Sequence, residues 1–338
     1  MRAMVGVLLA AVALASCTSH AQRAAPPRSA ASILMSSAAS PSATSTHAVA
    51  TTPHPSGLRT FAKPRSTDVN PAHPCGVSTT THYTHIMWIW MENKPFGSVI
   101  GSGSAPFEHA LAKDCGLATN YHGITHPSLP NYLAATGGST FGVHDDSGPA
   151  SHPINADSIF GELDRAGLRW RSYEESMPSN CDHSAASPYA VKHNPAAYFT
   201  AIAPACSVDD VPLAGNLDRD LAAGTLPSFA FVTPNLCNDT HDCSVHIGDA
   251  WLATWIPKIL AASNYRDGNT LVVLTWDEGV GPGNLIPTIV VGPTVRAGTE
   301  AAQRFDHYAL LRTTEELLGV SLLGAAASAS SMAPAFHL

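Results

Sequence analysis

Five short apolar runs stand out in a chain otherwise rich in small and polar residues. HIMWIWM (85–91), LRWRSYEE (168–175), PSFAFVT (227–233), NTLVVLTW (269–276) and PTIVVG (287–292) have the length and the branched or aromatic content of buried strands. The stretches between them carry helical spacing. SAPFEHALAKDCG (104–116) is one, and ADSIFGELDRAG (156–167) is another, with Ile159, Leu163 and a closing glycine. GDAWLATWIPKILAAS (248–263) sets Leu252, Trp255, Ile256 and Ile259 on one face, with Pro257 as a candidate kink. YALLRTTEELLG (308–319) is amphipathic and ends on glycine. Strands alternating with helices predict an α/β fold, a mainly parallel central sheet flanked by helices on both faces.

Polar residues fall where three of the runs stop. WIWM leads into Glu92-Asn93, LVVLTW into Asp277-Glu278, and FAFVT into Pro234-Asn235. Ligands of open α/β sheets bind beyond the carboxyl ends of the strands. If these strands are parallel neighbours, carboxylates and amides meet on one rim. Glu92, Asn93, Asp277 and Glu278 are hard oxygen donors suited to a divalent cation. The bland alternative is that they cap helices or face solvent. The loop PNLCNDTHDCSVHIGD (234–249) adds Asn235, Asn238, Asp239, His241 and Asp242, which could point at an anion or a metal. A polar surface loop is its alternative reading. His307 precedes the last amphipathic helix, where a histidine is more often a cap than a catalyst.

The N-terminal region changes the picture of organisation. MRAMVGVLLAAVALASC has an early arginine, an apolar run and small residues, the form of an export signal and too short for a comfortable membrane span. Leu14-Ala15-Ser16-Cys17 resembles the bacterial lipobox, which implies lipidation of Cys17 and a membrane anchor. Residues 18–75 are rich in Ala, Ser, Thr and Pro and are expected to form a disordered tether. Residues 76–338 are expected to form the catalytic domain. The chain is thus expected to be exported, as a cell-surface lipoprotein or a secreted protein.

Charge and cysteine usage narrow the classes further. Of 338 residues 45% are hydrophobic, enough for a large core, and only 13% are charged, with a net charge of −8. No basic run supports nucleic-acid binding. Setting Cys17 aside leaves six of the seven cysteines, an even number that fits disulfides in an exported chain. Six cysteines allow 15 pairings, and proximity along the chain favours Cys75–Cys115, Cys181–Cys206 and Cys237–Cys243.

GITHPSLPNYLAATGG (123–138) holds Ser128 between His126 and two prolines, Pro127 and Pro130. No GxSxG elbow surrounds it, so an α/β-hydrolase triad is not indicated. By position alone Ser128 is a braced turn residue. A serine hydroxyl needs a base or a metal to become a nucleophile.

Taken in order, MEN, THPSLPNYLAATGG, TPNLCNDTHDC with GDAWL, TWDEG and DHYALLRTTEELLG resemble the bacterial phosphoesterase family of acid phosphatases and phospholipases C, within the alkaline-phosphatase-like superfamily. The resemblance spans roughly residues 83–322 and is nearest the small secreted acid phosphatases. It implies that Glu92, Asn93, Asp277 and Glu278, with Ser128, hold the metal, one ion rather than two, and that Ser128 is the nucleophile. It implies that His241 and His307, then His126, contact the phosphate or the leaving group. Asn131, Asn235, Lys192 and His193 complete the expected substrate-binding set. Sulfatases of the same superfamily carry Cys/Ser-x-Pro-x-Arg; here Tyr132 stands at the arginine position, which speaks against that activity. The expected function is a metal-dependent, monomeric phosphomonoesterase acting through a phosphoserine. A phospholipase C is the alternative, and a surface lipoprotein that binds a phosphorylated ligand is the non-enzymatic one.

Overall fold

The computed structural model describes residues 68–79 and 82–338. The signal segment, Cys17 and the tether up to residue 67 lie outside the described residues. Packed chain begins before the expected boundary at 76. Val69 is buried and its N–H donates to Arg266 O, while Pro74 O accepts from Tyr265 Oη.

The strands, in chain order, are β1 (His85–Met91), β2 (Gly116–Ala118), β3 (Tyr121–His122), β4 (Trp170–Glu174), β5 (Asp210–Pro212), β6 (Phe229–Thr233), β7 (Thr270–Trp276), β8 (Leu285–Ile286), β9 (Thr288–Val291), β10 (Thr299–Ala301) and β11 (Phe305–Asp306). The main sheet has the order β10-β2-β9-β7-β1-β6-β4-β5, and β11-β3-β8 form a small second sheet. All pairings in the main sheet are parallel except those of β9, which runs against both β7 and β2. The expected fold class is therefore the observed one. All five apolar runs became strands because their residues are buried on both faces, as a covered sheet requires.

Strand β1 lies at the centre, and its alternating side chains meet different layers. Trp88 Nε1 donates to Thr314 in helix His307–Leu318, and Trp90 packs on Tyr132 of helix Ser128–Gly137. Met91 lies against Gly248 of helix Val245–Ala261 on the other side. The long helix runs through Pro257, burying Leu252, Ile256 and Ile259 against the core. The three expected disulfides are present, with Cα–Cα distances of 5.3, 5.4 and 4.7 Å.

Helix Pro106–Asp114 is capped from another element. Its own N-cap, Ala105, offers no side chain, and Asp249 accepts from Glu108 N at 2.9 Å and Phe107 N at 3.3 Å. Glu108 is fully buried beside that carboxylate, and neither of its oxygens has another partner. Burial first, and Asp249 second, push its carboxyl up to about 9. The folded value exceeds the usual 4.5, so stability is lost as pH rises from about 4.5 towards 9. Glu108→Gln removes the titrating proton and leaves a donor for Asp249. It should stabilise the domain at pH 8 by about 1–3 kcal/mol and flatten the pH dependence of the urea midpoint. An unchanged pH slope in the variant would refute the assignment.

Candidate active site

Three parallel neighbours, β7, β1 and β6, end together. The β1–β7 ladder continues one step beyond them, since Asp277 N donates to Met91 O at 3.0 Å, and on the other side Glu92 N donates to Asp239 O, in the loop after β6, at 2.8 Å. This places Glu92, Asp239 and Asp277 side by side, all with no exposure. Asn93 turns the chain with a left-handed φ of 60°, a conformation that asparagine tolerates. Its N–H donates to Asp277 Oδ1 at 3.0 Å. Its side-chain amide has no partner among the described residues.

Ser128 does not lie in a turn. It opens helix Ser128–Gly137, which Gly138 closes in the left-handed region. Pro127 is the extended residue before it, and Pro130 falls in the first turn, where a missing N–H costs nothing. Ser128 is 2% exposed, and its hydroxyl donates to Glu92 Oε2 at 3.1 Å. One turn later Tyr132 Oη donates to the other Glu92 oxygen. The Tyr132 ring stacks on His193, with centroids 5.3 Å apart. Asn131 knits the approach to Ser128. Its Oδ1 accepts from Ile124 N and Thr125 N, and its Nδ2 donates to Thr125 O and Pro127 O and lies 3.3 Å from Glu278 Oε2. His126, half-exposed at the rim, sits 2.7 Å from the same Glu278 oxygen through Nδ1.

The loop after β6 supplies the remaining wall. Cys237–Cys243 clips it, and Asp239 Oδ1 accepts from His241 N at 2.7 Å. His193 Nδ1 lies 3.3 Å from Asp239 Oδ2, and its Nε2 lies 3.2 Å from Glu92 Oε1. His241 Nδ1 lies 2.7 Å from Asp242, so Nδ1 carries the proton and Nε2 accepts from Lys192 Nζ at 3.3 Å.

This cluster is electrostatically incomplete. Burial first, then Asp277 and Asp239, hold Glu92 well above its usual range. Burial likewise raises Asp277, Asp239 and Glu278 to about 7 each. His193 is pushed down by burial and then by the Lys192 charge. Asp277 Oδ2, Asp239 Oδ2 and His193 Nε2 are buried without a well-directed hydrogen bond, the last two meeting only the 3.3 and 3.2 Å ion-pair contacts just given. The Lys192 ammonium offsets only part of what burial does to Glu92, Asp239 and Glu278, and buried carboxylates this crowded are costly unless a cation joins them. Donors from Glu92, His193 and His241 also lie within 4.8 Å of one another. Carboxylates, an idle amide and a hydroxyl make a donor set that fits a hard divalent cation, and the imidazoles extend it to zinc.

Two expected site residues stand apart from the cluster. His307 is fully buried between Trp90 and Tyr121. Its Nε2 donates to Asp277 O at 2.6 Å and its Nδ1 accepts from Tyr121 Oη at 3.2 Å. Burial pushes it down to about 4, so it is neutral and has no nitrogen left for a ligand. The expectation that it touches phosphate gives way to a support beneath Asp277. Asn235 spends its side chain on loop closure, accepting from Cys237 N and Asn238 N and donating to Ser176.

Residues 100–321 match the Phosphoesterase family along most of the domain. The chain belongs to that family. As a Phosphoesterase family member it is a phosphoric ester hydrolase. It is 34% identical over 250 residues to a phosphatidylinositol-3-phosphatase of Mycobacterium tuberculosis, covering 73% of this chain and 81% of that one. It is 28% identical over 271 residues to an acid phosphatase of Aspergillus fumigatus, covering 76% and 59%. The chain thus spans less than two thirds of that fungal protein. A solved Vibrio parahaemolyticus protein of the alkaline phosphatase superfamily shares the fold, with a TM-score of 0.52, 12% identity, and coverage of 74% of this chain and 71% of that one.

Two participants carry no sequence signal that marks them for the site. Tyr132 stands in the sequence as a departure from the sulfatase pattern, yet it holds Glu92. Asp146 carried no local signal, but its Oδ1 accepts from Leu129 N at 3.0 Å and its Oδ2 from Lys192 Nζ at 2.9 Å.

Proposed function

We propose that this phosphoesterase is a metal-dependent phosphomonoesterase in which Ser128 is the nucleophile. The observation that carries the reading is the Ser128 hydroxyl at the start of a helix, within hydrogen-bond reach of Glu92 among crowded carboxylates that burial raises above their ordinary range. Glu92, Asn93, Ser128, Asp277 and Glu278 would hold the cation, with His193 at its edge. Such an ion polarises a phosphoryl oxygen and lowers the pKa of a serine hydroxyl.

The chain's own residues then carry the proton traffic. Ser128 Oγ passes its proton to Glu92 Oε2 as the Oγ–P bond forms and the ester P–O bond breaks. The departing oxygen takes a proton from the Lys192–His241 pair. Water attacks the phosphoserine, returns a proton to that pair, and Ser128 recovers its own from Glu92. Asn131 and His126 fix Glu278 at the rim. His307 holds the Asp277 backbone from below. The relatives named as acid phosphatases and as a phosphatidylinositol-3-phosphatase support monoester chemistry. A three-part organisation with a signal at 1–17, a tether, and lipidation at Cys17 remains part of this reading, and the three disulfides accord with an exported protein.

The test is p-nitrophenol release by the purified chain from p-nitrophenyl phosphate and from p-nitrophenyl phosphorylcholine. It is run before chelation, after chelation, and with Mg²⁺, Ca²⁺, Mn²⁺ or Zn²⁺ restored. The monoester should be the better substrate, and chelation should remove the activity until one metal restores it. Preference for the diester would favour the phospholipase C alternative. Turnover undiminished by exhaustive chelation would refute the metal assignment.

A further inference from the structure

We propose that Asp146 is a positioning residue of the hydrolytic reaction. Its single carboxylate ties the Lys192 ammonium to the start of the nucleophile's helix and so sets the Lys192–His241 pair relative to Ser128. The proposal rests on the phosphatase reading above.

The geometry is a short bridge. Leu129 directly follows Ser128, and its N–H is one of the donors that a helix start leaves free. Asp146 Oδ1 takes it at 3.0 Å, and Oδ2 takes Lys192 Nζ at 2.9 Å. Lys192 Nζ reaches His241 Nε2 at 3.3 Å. His241 is anchored on its other side by Asp242 at 2.7 Å and through its backbone by Asp239. One rigid planar group thus links the nucleophile's helix to the pair that serves the departing oxygen. Lys192 has a flexible four-carbon stem and three donors, so without a fixed acceptor its ammonium has many alternatives. The side chains of Asp146 and Lys192 are 28% and 20% exposed, half-buried and able to feel the substrate.

A capping role and a positioning role make different predictions for Asp146→Asn. The amide oxygen can still accept from Leu129 N, and asparagine is as good a cap as aspartate. The grip on Lys192 loses its charge. Positioning predicts a kcat for p-nitrophenyl phosphate that is lower by about 10–100-fold, the cost of a catalytic group displaced by about 1 Å. KM should be unchanged or lower, inorganic phosphate should inhibit at least as tightly, and the melting temperature should hardly move. In a Lys192→Met background the same Asp146→Asn change should cost less than about twofold, because the two residues act as one unit. Wild-type kcat in Asp146→Asn, or losses that multiply in the double variant, would overturn the proposal. A crystal structure of Asp146→Asn gives a readout independent of turnover. Lys192 Nζ should have left His241 Nε2, and an ammonium still in place would overturn the positioning role even if the wild-type chain hydrolysed no ester.

Discussion

Ser128→Ala should lower phosphate release by about 10⁴-fold or more, the loss expected when a covalent nucleophile is removed. The same variant should still take up a divalent ion. Ser128 is 2% exposed, and its hydroxyl donates to Glu92. Losing it should cost only about 1 kcal/mol of stability. Nothing nearby replaces the hydroxyl. The Tyr132 phenol is committed to Glu92, and burial first, then Glu92, hold its pKa well above the ordinary value. The Glu92 and Asp277 carboxylates and His193 remain to bind metal. Steady-state p-nitrophenol release, with metal content measured on the same sample, checks both halves. A variant that retains full turnover would end the nucleophile assignment, and one that loses metal as well would make Ser128 chiefly a ligand.

Asp277→Asn should move stability and activity in opposite directions. Asp277 is fully buried, accepts from Asn93 N through Oδ1, and has no partner at Oδ2. Burial first, then Glu278, raise its carboxyl to about 7 from an ordinary 3.8. Between those values the folded chain holds a proton that the unfolded chain has released. Stability of the metal-free protein therefore falls as pH rises across that window, and the full penalty applies above about 7. Replacing the acid with an amide should stabilise the metal-free domain at pH 8 by about 2–4 kcal/mol. The gain in melting temperature that metal brings to the wild type should shrink, because binding to the folded state alone is what produces it. Phosphate release should drop by about 10²-fold or more. Thermal melts with and without metal, paired with assays, test the pair of signs. A metal-free variant less stable than the metal-free wild type would contradict the picture of an uncompensated acid cluster.

The large strands were legible because burial on both faces leaves an unbroken apolar run, as in HIMWIWM and NTLVVLTW. Two- and three-residue strands such as β3, β5 and β11 leave no such trace, and the reversal of β9 depends on pairing rather than composition. Glu92, Asp277 and Ser128 were legible as a set through strand ends and motif order. The helix at Ser128 was not, because two prolines look like a turn until the first-turn exemption is applied. Tyr132, Asp146 and the buried setting of His307 depend on contacts between residues 17 to 186 positions apart, which no local pattern encodes.

Strand β1 sits between β6 and β7, which follow it only near residues 229 and 270. During synthesis its tryptophans and methionines must wait about 140 residues for the first neighbour and about 180 for the second. Loop closure over that span is slow, and an unpaired apolar strand is the segment from which aggregates start. Yield of soluble protein should therefore depend on shielding this one heptad early, and a truncation that removes β7 should leave insoluble chain rather than a weakened enzyme.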